Sequence, residues 1–250
     1  MLIAPNRVDL QRIVVLNPKG GCGKTTLATN LASYFALRGP LPALLDCDPQ
    51  GYSMRWLEKR APFRPPIHGI AAYKSSIHKT RSWQLRVPQE TRRLIIDTPA
   101  AMDSPAMHEM IYDANNVLIP VMPSPIDIRY AARFIAELLL VAQLDRGDCK
   151  VGIVANRTRK NTRSLKQLMR FLTSLKIPMI TGLRDSQNYV RAAGEGIGVY
   201  EMPHHKAWRD IEQFSQIVSW LERWHAPARK RRQPLVAAEP VWEEPRKPIH

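Results

Sequence analysis

Hydrophobic and polar positions along this chain fall into short aliphatic runs separated by longer stretches of helical periodicity. The first run, Ile13-Val14-Val15-Leu16, lies between Arg12 and Asn17 and predicts a buried strand. A glycine-rich turn follows, and residues 25–37 then read as a helix. The second run, Ala43-Leu44-Leu45, stops at Asp46-Cys47-Asp48-Pro49, and a third, Leu94-Ile95-Ile96, stops at Asp97-Thr98-Pro99. Further strands are expected at 117–121, at 151–155 and near 179–181, with helices over 128–143, 163–175 and 208–224. Strands alternating with helices predict an α/β domain whose mostly parallel, doubly wound sheet is covered on both faces. Ligands of such a sheet sit at the carboxyl ends of its strands.

Composition sharpens this picture in three ways. A chain of 250 residues is long enough to bury one substantial core. No apolar run approaches the roughly 20 residues that cross a bilayer, and the first dozen residues lack the apolar core of a secretory signal. Three scattered cysteines, Cys22, Cys47 and Cys149, suit neither a disulfide framework nor a paired-cysteine zinc site, so a soluble protein of a reducing cytoplasm is expected. From Ala226 the composition shifts to five prolines in 25 residues, with Arg229-Lys230-Arg231-Arg232 near the start. The expected organisation is one domain over 1–225 and a disordered, proline-rich basic tail over 226–250. That tail carries a net of +3, so +12 of the formal +15 belongs to the other 225 residues. An excess of that size in the folded body suggests a polyanionic partner.

The turn after the first strand carries the most specific chemistry. Lys19-Gly20-Gly21-Cys22-Gly23-Lys24-Thr25-Thr26 has the Gly-Lys-Thr ending of a phosphate-binding loop but Lys19 where the usual first glycine stands. Glycines 20, 21 and 23 let the backbone turn its N–H groups inward as an anion nest, and the helix starting near Lys24 adds its positive end. Lys24 should reach the β- and γ-phosphates of ATP, with the Thr25 hydroxyl on magnesium. A glycine-rich turn without a ligand would not need the strand before it and the helix after it. Asp97, at the end of an aliphatic strand, is placed to hold the same magnesium, through water. Asp46 and Asp48, two residues apart on a strand, should send their carboxylates to one face, where they converge on one metal and one water. Solvated loop acids are the plainer alternative.

These three elements, K-G-G-x-G-K-T-T, D-x-D-P-Q-G at Asp46 to Gly51 and D-T-P at Asp97 to Pro99, together resemble the ParA/MinD family of deviant Walker A ATPases, and D-P-Q-G favours its ParA branch. The resemblance extends to the proline-rich strand exit from Leu118 to Pro125 and covers about residues 12–225. It implies a single-domain P-loop NTPase that forms an ATP-sandwich homodimer, in which Lys19 of one subunit reaches the phosphates held by the other. Lys19, Asp48 and Lys24 would then be the catalytic residues. Lys19 acts like an arginine finger, Asp48 positions the attacking water, and Asp46 supports the magnesium from behind. Thr98 and its successors would sense the γ-phosphate, and Asn156 would contact the adenine. Cofactor binding thus falls on Lys19 to Thr26 and Asn156, and metal binding on Thr25, Asp46 and Asp97. The family also implies a cargo-bound activating protein, whether the cargo is a plasmid, a chromosome or a protein organelle such as a carboxysome. It further implies a cytoplasmic, nucleoid-associated location.

The polyanion has a candidate surface. Residues 157–176 hold Arg157, Arg159, Lys160, Arg163, Lys166, Arg170 and Lys176 without an acid. At 100° per residue, Arg159, Arg163, Lys166 and Arg170 share one sector, opposite Leu165, Leu168, Met169, Leu172 and Leu175. With Lys160, and with Arg184 and Arg191 as additions, this face is expected to bind the backbone of double-stranded DNA without sequence preference. A solubilising helix face is the alternative. Lys74, Lys79, Arg81, Arg86, Arg92 and Arg93 form a second, weaker basic segment.

Two other functions share the fold. A metabolic or metal-transfer enzyme resembling nitrogenase iron protein or dethiobiotin synthetase is disfavoured by the scattered cysteines. A MinD-like membrane switch would end in an amphipathic helix, whereas this chain ends in prolines and mixed charges. Ile211, Phe214, Val218 and Leu221 are read as core, no membrane partner is expected, and His204 and His205 receive no role.

Overall fold

The computed structural model describes residues 9–74, 87–111, 114–141, 149–159, 161–175 and 177–223. The expected tail, Lys160, and Lys79, Arg81, Arg86 and Lys176 of the basic segments lie outside these residues. Among the described residues, seven strands form one sheet in the order β3-β2-β4-β1-β5-β6-β7. They are β1 (Gln11–Val15), β2 (Ala43–Asp46), β3 (His68–Ala71), β4 (Arg93–Asp97), β5 (Asn116–Val121), β6 (Lys150–Thr158) and β7 (Met179–Arg184). Every described pairing is parallel, as runs of Ile, Val and Leu without polar alternation require of strands covered on both sides.

The α-helices of the described residues cover the sheet: α1 (Lys24–Ala36), α2 (Tyr52–Glu58), α3 (Ser104–Ile111), α4 (Pro125–Val141), α5 (Arg163–Leu175), α6 (Gln187–Glu195) and α7 (His204–Glu222). Strand side chains alternate between two cores. Val14, Leu16, Ile96 and Ile119 pack with Met107 of α3, Phe134, Ile135 and Leu138 of α4, and Leu168 and Leu172 of α5. Ile13, Val15, Ile95 and Leu118 pack on the other face with Leu27 and Leu31 of α1, Trp56 of α2, Tyr189 of α6, and Phe214, Ile217 and Leu221 of α7. A proline is rare inside a central strand because it donates no hydrogen bond. Pro120 is tolerated in β5 because it lies beyond the stretch that pairs with β1, which ends at Val15 opposite Leu118.

Several boundaries differ from expectation. α4 begins three residues early because Ser124 caps it, its Oγ accepting from Asp127 N at 3.1 Å, with Pro125 in the first turn. α7 begins at His204, directly after Pro203, and its first turn is polar and exposed, so hydrophobic spacing gave no sign of it. α2, α3, α6 and β3 were not foreseen. Two of the expected α5 faces need correction. Arg159 precedes the helix, since Asn161 takes a positive φ of 61° and helical geometry starts only at Arg163. Met169, grouped with the apolar side, is 40% exposed at its flank.

Candidate nucleotide and magnesium site

Register brings the acidic strand ends together. Asp97 of β4 stands between Val15 of β1 and Asp46 of β2 in adjacent strands, so both carboxylates lie at the level where β1 gives way to the glycine loop. Both are fully buried. Asp48 lies past the end of β2 rather than on it, which corrects the idea of two carboxylates leaving one strand face. It is half-buried in a turn where its N–H donates to Asp46 Oδ1 at 3.1 Å and its own Oδ1 accepts from Gln50 N at 2.9 Å.

The loop has the conformation its glycines predict at two of three positions. Gly21 and Gly23 have φ of 74° and 101°, the left-handed region that residues with a Cβ avoid, whereas Gly20 does not. Gly23 also has no room: a Cβ there would stand 2.0 Å from Asn156 Nδ2. That amide donates to Cys22 O at 2.8 Å, and Asn156 Oδ1 accepts from Arg157 N at 2.9 Å. Asn156, the expected adenine contact, therefore braces the loop from the end of β6. Asn17 does the same from the other end, its Oδ1 accepting from Lys19 N at 2.9 Å and its Nδ2 donating to Pro120 O at 2.7 Å. Cys22 is buried, its Sγ donates to Lys19 O at 3.3 Å, and burial raises its thiol pKa, so it is a packing residue of the loop.

Lys24 is 7% exposed, and its Nζ donates to Lys19 O at 3.0 Å across the loop. Thr25 Oγ1 donates to Asp97 Oδ2 at 2.8 Å, and Ser53 Oγ donates to the same oxygen at 2.7 Å. Asp97 Oδ1 has no hydrogen-bond partner among the described residues. Burial pushes the Asp97 carboxyl up to about 6, with the Ser53 and Thr25 hydrogen bonds opposing, Asp46 adding to the rise and Lys24 resisting it. Burial likewise raises Asp46, against hydrogen bonds from the Met54, Asp48 and Ser53 backbones. A buried carboxylate oxygen without a partner, beside a threonine hydroxyl, fits magnesium. That ion keeps several waters and takes one or two protein groups together with substrate phosphates. Among the described residues no three His, Cys, Asp or Glu gather into a protein-only cage.

The segment after Asp97 rests on the loop. Thr98 is buried with its hydroxyl donating to Val15 O at 2.9 Å, and Ala101 N donates to Pro18 O at 2.9 Å. The contact of this segment with the loop therefore runs through the Ala101 backbone. The Lys19 ammonium, by contrast, is ion-paired with Asp127 in the first turn of α4.

Of the basic candidates, Arg163, Lys166 and Arg170 are exposed along α5, and Arg191 is exposed on α6. Arg159 is 3.7 Å from Asp185, an exposed and weak pairing. Arg184 is committed internally: Nε and one terminal nitrogen donate to Asp210 at 2.6 and 2.9 Å. Sequence reasoning missed Ser53 and Asp127. Ser124-Pro125-Ile126-Asp127 announces a capped helix start, but nothing local names Lys19 as the acid's partner.

The chain matches the CobQ/CobB/MinD/ParA nucleotide binding domain over residues 13–199. It is 28% identical over 194 residues to "Maintenance of carboxysome distribution protein A" of Halothiobacillus neapolitanus, covering 76% of this chain and 87% of that protein. It is also 28% identical over 219 residues to the protein of the same name from Gloeobacter kilaueensis, covering 84% and 94%. A solved ATP complex of Cyanothece McdA superposes with a TM-score of 0.67 at 16% identity, over 86% of this chain and 97% of that one. With a glycine loop, a deviant lysine and a hydroxyl-bound acidic strand end in the arrangement described, the chain belongs to the CobQ/CobB/MinD/ParA family of nucleotide-binding domains, among its ParA/MinD ATPases.

Proposed function

We propose that this protein is a ParA-type, magnesium-dependent ATPase that dimerises on ATP, binds DNA without sequence preference and positions a cargo. The observation that carries the reading is the convergence of Lys24, Thr25 and Asp97 on one glycine loop, with Asp97 Oδ1 unpartnered among the described residues. Backbone N–H groups of the loop and Lys24 hold the triphosphate, while Thr25 and Asp97 hold magnesium, which neutralises charge on the phosphates. Asp46 orders the turn that presents Asp48, and Asp48 aligns water for attack on the γ-phosphate. Lys19 from a twin subunit adds positive charge as the bond breaks. For Asn156 to meet the adenine it must exchange either its Cys22 or its Arg157 bond.

The DNA surface is the outer face of α5, with Arg163, Lys166 and Arg170, extended by Arg159 and Arg191. Two copies in a dimer double it, which couples nucleotide state to retention on DNA. Hydrolysis stimulated by a cargo-bound partner then acts as local release. The names of the two curated relatives favour a carboxysome-like protein organelle as cargo. Among the described residues no helix is long and apolar enough to cross a membrane, and a nucleoid-associated place in the cytoplasm suits DNA as the substrate surface.

The test is DNA retention with ADP, ATP and a slowly hydrolysed analogue, for wild type and Asp48→Ala. Wild type should bind DNA with ATP and release it on turnover, whereas Asp48→Ala should dimerise with ATP and stay bound longer. Nucleotide-independent retention in both proteins would overturn the switch, and calorimetry that finds no uptake of Mg-ATP would overturn the whole reading.

A further inference from the structure

We infer that Ser53 is a positioning residue for the magnesium carboxylate, fixing Asp97 so that one oxygen stays free for the metal. The inference rests on the reading of Asp97 given above. Ser53 is the second residue of α2 and is fully buried. Its hydroxyl and that of Thr25 both donate to Asp97 Oδ2, at 2.7 and 2.8 Å, and Oδ1 is the oxygen without a partner among the described residues.

An aspartate carboxylate turns readily about its last torsion, where the rotamer wells are broad and two-fold. Two donors on one oxygen remove that freedom. The two hydroxyls are not equivalent, because Thr25 has a second task as a magnesium ligand whereas Ser53 has none. The bond that can stay unchanged when nucleotide and metal bind is therefore the one from Ser53.

Its setting is rigid. The Met54 N–H donates to Asp46 Oδ2 at 3.0 Å while the neighbouring Ser53 hydroxyl donates to Asp97, so the start of α2 is fastened to β2 and β4 together. The turn that carries Asp48 runs between these anchors, from Cys47 to Gly51. Ser53 thus ties the water-aligning turn to the metal carboxylate. Outer partners of metal ligands typically change metal affinity by about 10- to 100-fold when removed.

The experiment titrates Mg²⁺ against a fixed concentration of the fluorescent nucleotide mant-ADP bound to the full chain. Wild type, Ser53→Ala, Ser53→Thr and Asp97→Asn are compared, with the EDTA affinity as the metal-free reference. Ser53→Ala should raise the Mg²⁺ midpoint about tenfold with the EDTA affinity unchanged, and Ser53→Thr, which keeps the hydroxyl, should restore it. A wild-type midpoint in Ser53→Ala, with Asp97→Asn shifted, overturns the role of Ser53 alone. A midpoint unmoved in Asp97→Asn overturns the assignment of Asp97 and the inference with it. Should Ser53→Ala fail to fold, Ser53→Cys keeps the volume with a weak donor and is held to the same outcomes.

Discussion

Lys19 and Asp127 of the same chain form an ion pair, although they stand 108 residues apart. Lys19 is the residue that distinguishes this loop from the ordinary phosphate-binding pattern, and its ammonium is turned toward α4. Asp127 is 5% exposed, yet it is stable without the lysine. It sits in the first turn of α4, where the helix dipole favours a negative charge, and it hydrogen-bonds Ser124. The lysine can therefore leave without stranding a buried carboxylate, which makes the contact exchangeable.

From that exchange follows the effect of Asp127→Asn. Reaching a twin subunit requires Lys19 to give up Asp127, and the share of molecules with Lys19 already released sets the apparent affinity for the dimer. Asp127→Asn should lower the concentration of a slowly hydrolysed ATP analogue needed for half-dimerisation by roughly three- to tenfold, as measured by sedimentation. An unchanged or higher requirement means the pair does not restrain dimerisation. Lys19→Ala should bind nucleotide with little turnover, and full stimulated turnover in that protein contradicts a role across the interface.

The basic face of α5 makes a salt-dependent prediction. Each phosphate contact contributes a slope of about 0.9 to the fall of log affinity with log salt. Replacing Arg163 and Lys166 together by alanine should weaken ATP-dependent retention equally on unrelated DNA sequences. It should also flatten the slope by about four, because the dimer carries each substitution twice and about four counterions fewer are released. An unaltered slope with an intact dimer would assign the face to solubility.

What could be read from the sequence follows contrast in burial and polarity. The boundaries of α5 were legible to the residue because Leu168 and Leu172 alternate with basic side chains, and β1, β2 and β4 because buried parallel strands are uniformly aliphatic. α2 has seven residues with only Ser53 and Trp56 buried, too few to show a period, and β3 contains a glycine and a histidine. The glycine loop and the acidic strand ends were legible because phosphate chemistry restricts residue type and spacing. Asp127 and Ser53 were not: each acts on a residue far away in sequence, and only the fold brings hydroxyl or carboxylate to its partner. Arg184 shows the opposite failure, since charge alone marked it for DNA while the fold gives it Asp210.

That pair governs part of the acid stability. Burial alone would raise the Asp210 carboxyl, but hydrogen bonds from Arg184 and Asn188, the Arg184 charge and the Ser186 hydroxyl outweigh it and hold the pKa below its ordinary value of 3.8. A depressed folded value stabilises the protein above the unfolded pKa, and the gain is lost as pH falls through the folded one. Arg184→Ala should cost about 2 kcal/mol at pH 7, below the usual 3–5 for a broken buried pair because Arg184 is 36% exposed. For a domain of this size that is a fall in Tm of roughly 4–8 °C. The gap between variant and wild type should close below about pH 4. A gap that persists in acid would place the loss in packing rather than in the charge pair.

Gly23 and Asn156 test whether the loop is held by a fitted contact or by glycine's backbone freedom alone. Gly23→Ala meets two obstacles: a φ of 101°, which costs about 1–2 kcal/mol for a residue with a Cβ, and a Cβ 2.0 Å from Asn156 Nδ2. The second cannot be relieved without pulling the amide off Cys22 O. Asn156→Ala removes the obstacle together with the brace, so the two changes must couple, as substitutions sharing a contact do. Nucleotide affinity measured by calorimetry should fall steeply in Gly23→Ala, more gently in Asn156→Ala, and in the double variant by less than the two losses added. Additive losses would mean that the amide does not press on the glycine, and that the loop owes its shape to backbone conformation without help from β6.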